Sequence, residues 1–207
     1  MEATRERQRV GDRHSDVPIA SALPEIAIGH LNALNDTLAA LRGQVRRIER
    51  WGRLIADRFA AGSRLLAAGD DEAVRQARHL AAELAGHGDT LALDGPGAGG
   101  GDPDGRAADL AALVTAEARA GDVVLLLSAT GHTTGMAAAA RAARAAGATV
   151  LTCCGCCPNP LANAADDAVC VPGTASVVHE AQLVAVDLLC AAVDAAARAG
   201  RDAEPAR

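Results

Sequence analysis

The run Leu127-Ser128-Ala129-Thr130-Gly131-His132-Thr133-Thr134 gathers hydroxyl groups around one glycine. It follows an apolar segment and opens a helix. Ser128, Thr130 and Thr133, with the N–H groups of the helix start, would cradle an anion, phosphate being the usual one. No Lys or Arg stands in the run, so any phosphate would be held by neutral donors and the helix dipole. The same residues would also serve as a Ser/Thr-rich N-cap with no ligand.

Three further groups have chemistry in their spacing. His79 and Glu83, at i and i+4, share one helix face, where imidazole and carboxylate can hold a metal or pass a proton. His179, Glu180 and Asp187 open and line the last helix. His179 and Asp187 are eight residues apart, ~12 Å along a regular helix, so they reach one ion only if their side chains converge. Each of these groups is also common on a solvated helix face. Cys153-Cys154-Gly155-Cys156-Cys157-Pro158 contains two interleaved Cys-x-x-Cys pairs, a spacing for soft-metal or dithiol chemistry. Four thiols in five residues cannot easily close one tetrahedral site, and small buried cysteines at a strand end are the alternative.

The elements that must position these residues can be read from periodicity. Pro24 to about Ala68 is mainly helical, with Ile26, Ile28, Leu31, Leu34, Leu38 and Leu41 mostly on one face, then Ile48, Trp51, Leu54 and Ile55. A short buried strand leads into Gly69. Asp70 to Ala85 is predicted as a helix with acids in its first turn, and Leu91-Ala92-Leu93 as a strand. Ala107 to Ala120, Thr134 to Ala146 and Thr174 to Arg198 are further helices. Val123–Leu127 is a fully buried parallel strand, followed by strands at Thr149–Thr152 and Val169–Val171. Asn159 to Asp167 is a turn or short helix. Alternation of strands and helices with short links predicts a parallel sheet covered on both faces. Ligands then bind outside the carboxyl ends of the strands, at Gly69–Ala73, Ser128–Thr134 and Cys153–Pro158.

Composition narrows the classes. The chain has 207 residues, and its 20 basic residues are all Arg, against 26 acids, for a net charge of -6. That balance speaks against nucleic-acid binding, and the absence of Lys excludes Lys Schiff-base chemistry. No apolar run is read as a membrane span and no signal core is seen, so a cytoplasmic protein with reduced cysteines is expected unless they bind metal or turn over. Trp51 and Phe59 are the only aromatics, so the core must be built from Ala, Leu and Val. Residues 1–24 are read as a flexible arm, 25–200 as one domain and 201–207 as a tail.

Taken together, Arg78-His79-Leu80-Ala81-Ala82-Glu83-Leu84, Gly121-Asp122-Val123 through Thr133, and Gly173-Thr174-Ala175 with His179-Glu180 resemble the sugar isomerase (SIS) domain superfamily. The closer resemblance is to phosphoheptose isomerases, over roughly Ile26 to Ala196. It implies an α/β fold, a three-layer α-β-α sandwich with a five-stranded parallel sheet and an N-terminal helical extension. It also implies a homotetramer with sites at subunit interfaces. In the family a His, a Glu four residues later, and a Gln and His eight residues apart bind zinc. Those positions hold His79, Glu83, His179 and Asp187, a set that also suits Mn²⁺ or Fe²⁺. The resemblance implies isomerisation of a sugar or sugar phosphate through an enediol, with Glu83 as base and Asp187 or His179 in the opposite role. Ser128, Thr130, Gly131 and Thr133, with Asp70 and Thr174, would contact the substrate. Three departures stand out. The family's Gly-Asn-Gly-Gly-Ser loop is Gly69-Asp70-Asp71-Glu72-Ala73 here, a family Arg is His87, and a family His is Asp187. Two other readings compete: a non-catalytic SIS binding module, and a metal- or thiol-handling protein using Cys153 to Cys157.

Overall fold

The computed structural model describes residues 19–70, 72–94 and 103–203. In chain order the elements are α1 (Ile19–Arg42), α2 (Val45–Ala60), β1 (Leu65–Gly69), α3 (Ala73–Leu84), β2 (Thr90–Ala92), α4 (Pro103–Glu117), β3 (Val123–Ser128), α5 (Thr134–Ala145), β4 (Thr149–Cys154), α6 (Pro160–Ala164), β5 (Asp167–Cys170) and α7 (Ala175–Ala203). The strands form one five-stranded sheet in the order β2-β1-β3-β4-β5, every pair parallel. This is the α/β sandwich expected from the alternating pattern.

Successive strand residues feed opposite faces, as the pleat requires. Leu65, Ala67, Val123, Leu125, Leu127, Leu151 and Cys153 pack beneath α1, α2, α3 and α7. Leu66, Ala68, Val124, Leu126, Val150 and Cys154 pack beneath α4, α5 and α6. Burial on both faces explains why β3 is an unbroken apolar run up to Ser128, with all six residues buried. With few large side chains, the layers close by near approach of backbones. A Cβ at Gly52 on α2 would lie 2.5 Å from the Ala192 Cβ on α7, so only glycine fits there.

The two ends of the sheet do different work. At the amino end, buried Asp122 accepts from the Arg64 backbone N–H (3.0 Å), the Arg64 guanidinium (2.9 Å) and the Arg119 N–H (3.0 Å), pinning the starts of β1 and β3. At the carboxyl end the strands finish level: Gly69 pairs with Leu127, and Ser128 with Cys154. The loops after β1, β3 and β4 therefore emerge side by side, as the crevice rule predicts.

Several element edges differ from expectation. α1 begins at Ile19, so the boundary placed at residue 24 falls inside a helix. Pro24 lies near that helix's start, where its missing N–H removes only the bond to residue 20. Residues 1–18 of the arm lie outside the described residues. α3 begins at Ala73, so Asp70 belongs to the loop before the helix. β4 runs on through Cys154, and α7 continues to Ala203, past the boundary at residue 200. α7 also has the length and apolar composition of a membrane span, which the run-length reading missed. Half of that stretch is buried in this fold against α1, α2 and α3.

An apolar strip stays uncovered within the single chain. Ile26, Ile28 and Leu31 of α1 are 66%, 58% and 63% exposed. Leu183, Val184 and Leu188 of α7 are also exposed. Large apolar side chains exposed on two packed helices are a common feature of surfaces that meet another protein.

Candidate functional site

The hydroxyl-rich loop follows β3 and leads into α5. Its conformation turns on Gly131, whose φ is +70°. A Cβ there would sit 2.3 Å from the Asn159 side chain, so glycine is required both by the backbone and by the neighbour. The Gly131 C=O accepts from the Leu161 N–H at 3.1 Å, tying the loop to α6. Asn159 is buried; its Oδ1 caps α6 by accepting from the Ala162 N–H (2.8 Å), and its Nδ2 donates to the Cys156 C=O (3.1 Å). The loops after β3 and β4 are thus one packed unit.

Within that unit the hydroxyls already have partners. Asp70 Oδ2 accepts from Ser128 Oγ at 2.7 Å and from Thr133 Oγ1 at 2.5 Å. The Gly131 N–H donates to Ser128 Oγ (2.9 Å), and the His132 N–H to Thr130 Oγ1 (3.2 Å). Thr133 holds the N-cap position of α5 but makes no side-chain cap bond, its hydroxyl being turned to Asp70. Asp70 is itself held by its N–H to the Leu127 C=O (3.1 Å) and by its C=O, which accepts from the Ala73 N–H (2.8 Å). Of the six residues expected to contact substrate, the structure brings Asp70, Ser128, Thr130, Gly131 and Thr133 into this one network. Thr174 stands elsewhere, exposed just before α7, with its C=O accepting from the Val178 N–H.

The His and carboxylate residues lie where α3 packs on α7. His79 Nε2 and Asp187 Oδ1 approach to 3.3 Å across the two helices. Glu83 is one turn further along α3. Burial first, and then the charges of Glu83, Asp187 and Asp194, push the nearby Cys190 thiol up to about 11. His87 pairs with Asp194 at 2.5 Å, so the family's Arg position here holds an imidazole facing an acid. His179 is buried further up α7, its ring Nδ1 without a hydrogen-bond partner. The structure joins His79 to Asp187 directly. Among the described residues, it does not draw three of His79, Glu83, His179 and Asp187 within 4.8 Å of one another.

Two buried polar groups near His179 were not anticipated. Gln76 Nε2 donates to the His179 C=O (3.2 Å), and Gln182 Nε2 to the Cys153 C=O at the end of β4 (2.9 Å). The Oε1 atoms of both are buried and unpartnered. The signal in the sequence was Gln182 itself, a polar residue three positions after His179 and followed by an apolar run. Polar groups of this kind are buried at a cost unless something bonds them.

The cysteines are arranged differently from the Cys-x-x-Cys reading. Cys153 and Cys154 are consecutive in β4 and therefore face opposite layers. Neither interleaved pair forms; Cys157 is instead disulfide-bonded to Cys170 of β5. This differs from the expectation of cysteines reduced unless they bind metal or turn over. Cys154 Sγ lies 3.9 Å from Cys170 Sγ, and the three sulfurs fall within 4.8 Å of one another, close enough for one soft ion if the pair were reduced. Burial pushes the Cys153 and Cys154 thiols up, Cys154 with a smaller contribution from Asp70. Cys156 is exposed and free.

A phosphoheptose isomerase of Streptomyces coelicolor is 39% identical over 189 residues, covering 84% of this chain and 80% of that protein. This chain belongs to the phosphoheptose isomerase family. Residues 105–199 match the SIS domain family, the stretch from α4 through most of α7. Solved phosphoheptose isomerases from Francisella tularensis and Neisseria gonorrhoeae share the fold, with TM-scores of 0.73 and 0.74 at 18% and 21% identity. Each comparison spans 84% of this chain and 98% of the other.

Proposed function

We propose that this isomerase interconverts an aldose and a ketose by moving a proton between neighbouring carbons through an enediol. The observation that carries the reading is the meeting of His79 and Asp187 at 3.3 Å across α3 and α7, with Glu83 one turn along. Glu83 is the base that removes the proton, and Asp187 or His179 serves the opposite oxygen. A sugar of the sedoheptulose 7-phosphate class, or an analogue of it, is the substrate. Its far end rests against Ser128, Thr130, Gly131, Thr133 and Asp70.

The family implies a divalent metal, zinc first. His79, Glu83, His179 and Asp187 would hold it: two imidazoles and two carboxylates suit zinc, manganese or ferrous iron. The buried, unpartnered Nδ1 of His179 supports that fit, since a ligand is what such an atom lacks. When bound, a divalent cation supplies polarisation of the substrate carbonyl. The exposed apolar strip on α1 and α7 supports a homo-oligomer, a tetramer by family resemblance.

Replacing the base tests the assignment. Glu83→Gln keeps the shape and removes the proton acceptor. Turnover of ketoses and ketose phosphates should fall by roughly 10²–10⁴-fold with an unchanged melting curve. Full activity in the variant would overturn the role of Glu83.

A further inference from the structure

Three sulfurs meet at the carboxyl end of the sheet, on the face away from the His and carboxylate residues. Cys154 ends β4 and Cys170 ends β5, and the two are register partners on adjacent strands. Both pack in the layer under α4, α5 and α6, whereas α3 and α7 cover the opposite face. Cys157 returns to them from the loop after β4. Cys154 Sγ is 3.9 Å from Cys170 Sγ, and all three sulfurs lie within 4.8 Å of one another. Two sulfurs bound to one ion at about 2.3 Å each, with roughly 109–120° between them, stand roughly 3.8–4.0 Å apart. The spacing across β4 and β5 is therefore the spacing that a shared ion requires.

The frame around the sulfurs has supports besides the Cys157–Cys170 bond. The Val171 N–H donates to the Cys154 C=O at 3.0 Å, carrying the β4–β5 ladder past the sulfurs. Buried Asn159 ties down the loop: its Oδ1 caps α6, and its Nδ2 donates to the Cys156 C=O. The same Nδ2 lies 3.3 Å from Cys154 Sγ and 3.7 Å from Cys157 Sγ. An amide N–H aimed at sulfur is an outer-shell partner of the kind that orients a thiolate ligand and tempers its charge. Access is graded as well. Cys154 is buried, Cys170 half-buried and Cys157 exposed, so an ion enters from the Cys157 side. Cys153 faces the other layer, and Cys156 is exposed and free.

We propose that Cys154, Cys157 and Cys170 form a redox-gated site for one soft, thiophilic cation, zinc or copper(I), separate from the His and carboxylate set. In the disulfide state Cys157 and Cys170 have no thiolate to offer, and the site is shut. A dithiol reductant opens it: the S–S bond takes up two electrons and two protons to give two thiols, while the reductant closes to its own disulfide. The cation then displaces the protons of the three thiols, which leave to solvent. Thiolates select these soft ions. Three sulfurs satisfy copper(I), and zinc adds a water from the exposed side. This site stands whether or not the chain is an isomerase.

The test uses the full chain in two forms: oxidised, with the disulfide confirmed by mass, and reduced with a dithiol that is then removed under argon. Each form is loaded with zinc or with copper(I), dialysed, and read by elemental analysis and by X-ray absorption at the metal edge. The reduced chain should hold one more ion per subunit than the oxidised chain, with metal–sulfur scattering at about 2.3 Å for zinc. The ion better retained through dialysis, zinc or copper(I), is the one that the site prefers. Cys154→Ser tests the buried ligand, and Cys157→Ser, at an exposed position, serves should that variant not fold. Each should weaken the extra ion by more than the roughly 10–100-fold that loss of an outer-shell partner costs. Cys156→Ser should leave it unchanged. Equal metal in both redox forms, an extra ion surrounded only by nitrogen and oxygen, full retention in Cys157→Ser, or loss in Cys156→Ser would overturn the assignment. None of these results touches the isomerase reading, which is judged by turnover.

Discussion

Gly131→Ala tests whether the loops after β3 and β4 are one mechanical unit. The added Cβ would stand 2.3 Å from the Cγ and Oδ1 of Asn159, a buried side chain that has little room to retreat. If Asn159 moves, α6 loses its N-cap, costing about 1 kcal/mol. The bond from Nδ2 to the Cys156 C=O goes as well, about 1 kcal/mol more. An alanine held at φ +70° adds about 1 kcal/mol of backbone strain. The sum is about 3 kcal/mol, read as a lower denaturation midpoint in urea with an unchanged slope, at fixed protein concentration because an oligomer's stability depends on it. The same alanine introduced into Asn159→Ala should cost only the backbone share, giving a coupling of about 2 kcal/mol. A loss below about 1 kcal/mol, or additive effects in the double variant, would refute the packing argument.

Two further outcomes follow from the site. His79→Ala should abolish binding of one divalent ion per subunit, measured by elemental analysis after reconstitution under reducing conditions; metal kept in the variant would direct attention to Cys154, Cys157 and Cys170. Alkylation mapped by mass spectrometry should label Cys156 first and leave Cys153 and Cys154 protected until unfolding. Labelling of Cys190 should rise only as pH approaches about 11, since the thiol is neutral below its raised pKa and the thiolate is the nucleophile.

Much of this fold is legible in sequence because the strands are buried on both sides. Val123–Leu127 reads as a parallel strand with no ambiguity, and the Ala-rich segments between strands leave only helix as an option. The edges were less legible. Asp70, Asp71 and Glu72 look like a helix start, yet the helix begins at Ala73, because Asp70 finds better partners in Ser128 and Thr133 than in its own helix turn. Those hydroxyls are 58 and 63 residues away in sequence, and no local pattern reports a contact at that range. The cysteines carry the same lesson. Cys-x-x-Cys spacing suggested local pairs, but the two-residue period of β4 separates Cys153 from Cys154, and the partner of Cys157 is Cys170 on the next strand. By contrast, the His79 and Asp187 positions were legible only as a set, through the family resemblance, since each alone is an ordinary helix-surface residue.

Proton movement between neighbouring carbons is the central claim, and solvent deuterium reports it directly. The protein would be incubated in D₂O with the ketose or aldose that it turns over, and the recovered sugar examined by NMR. The account predicts deuterium at the carbon next to the carbonyl, incorporated by the native chain and absent with Glu83→Gln. Conversion with no solvent deuterium in the sugar under any condition, or incorporation undiminished in Glu83→Gln, would contradict it.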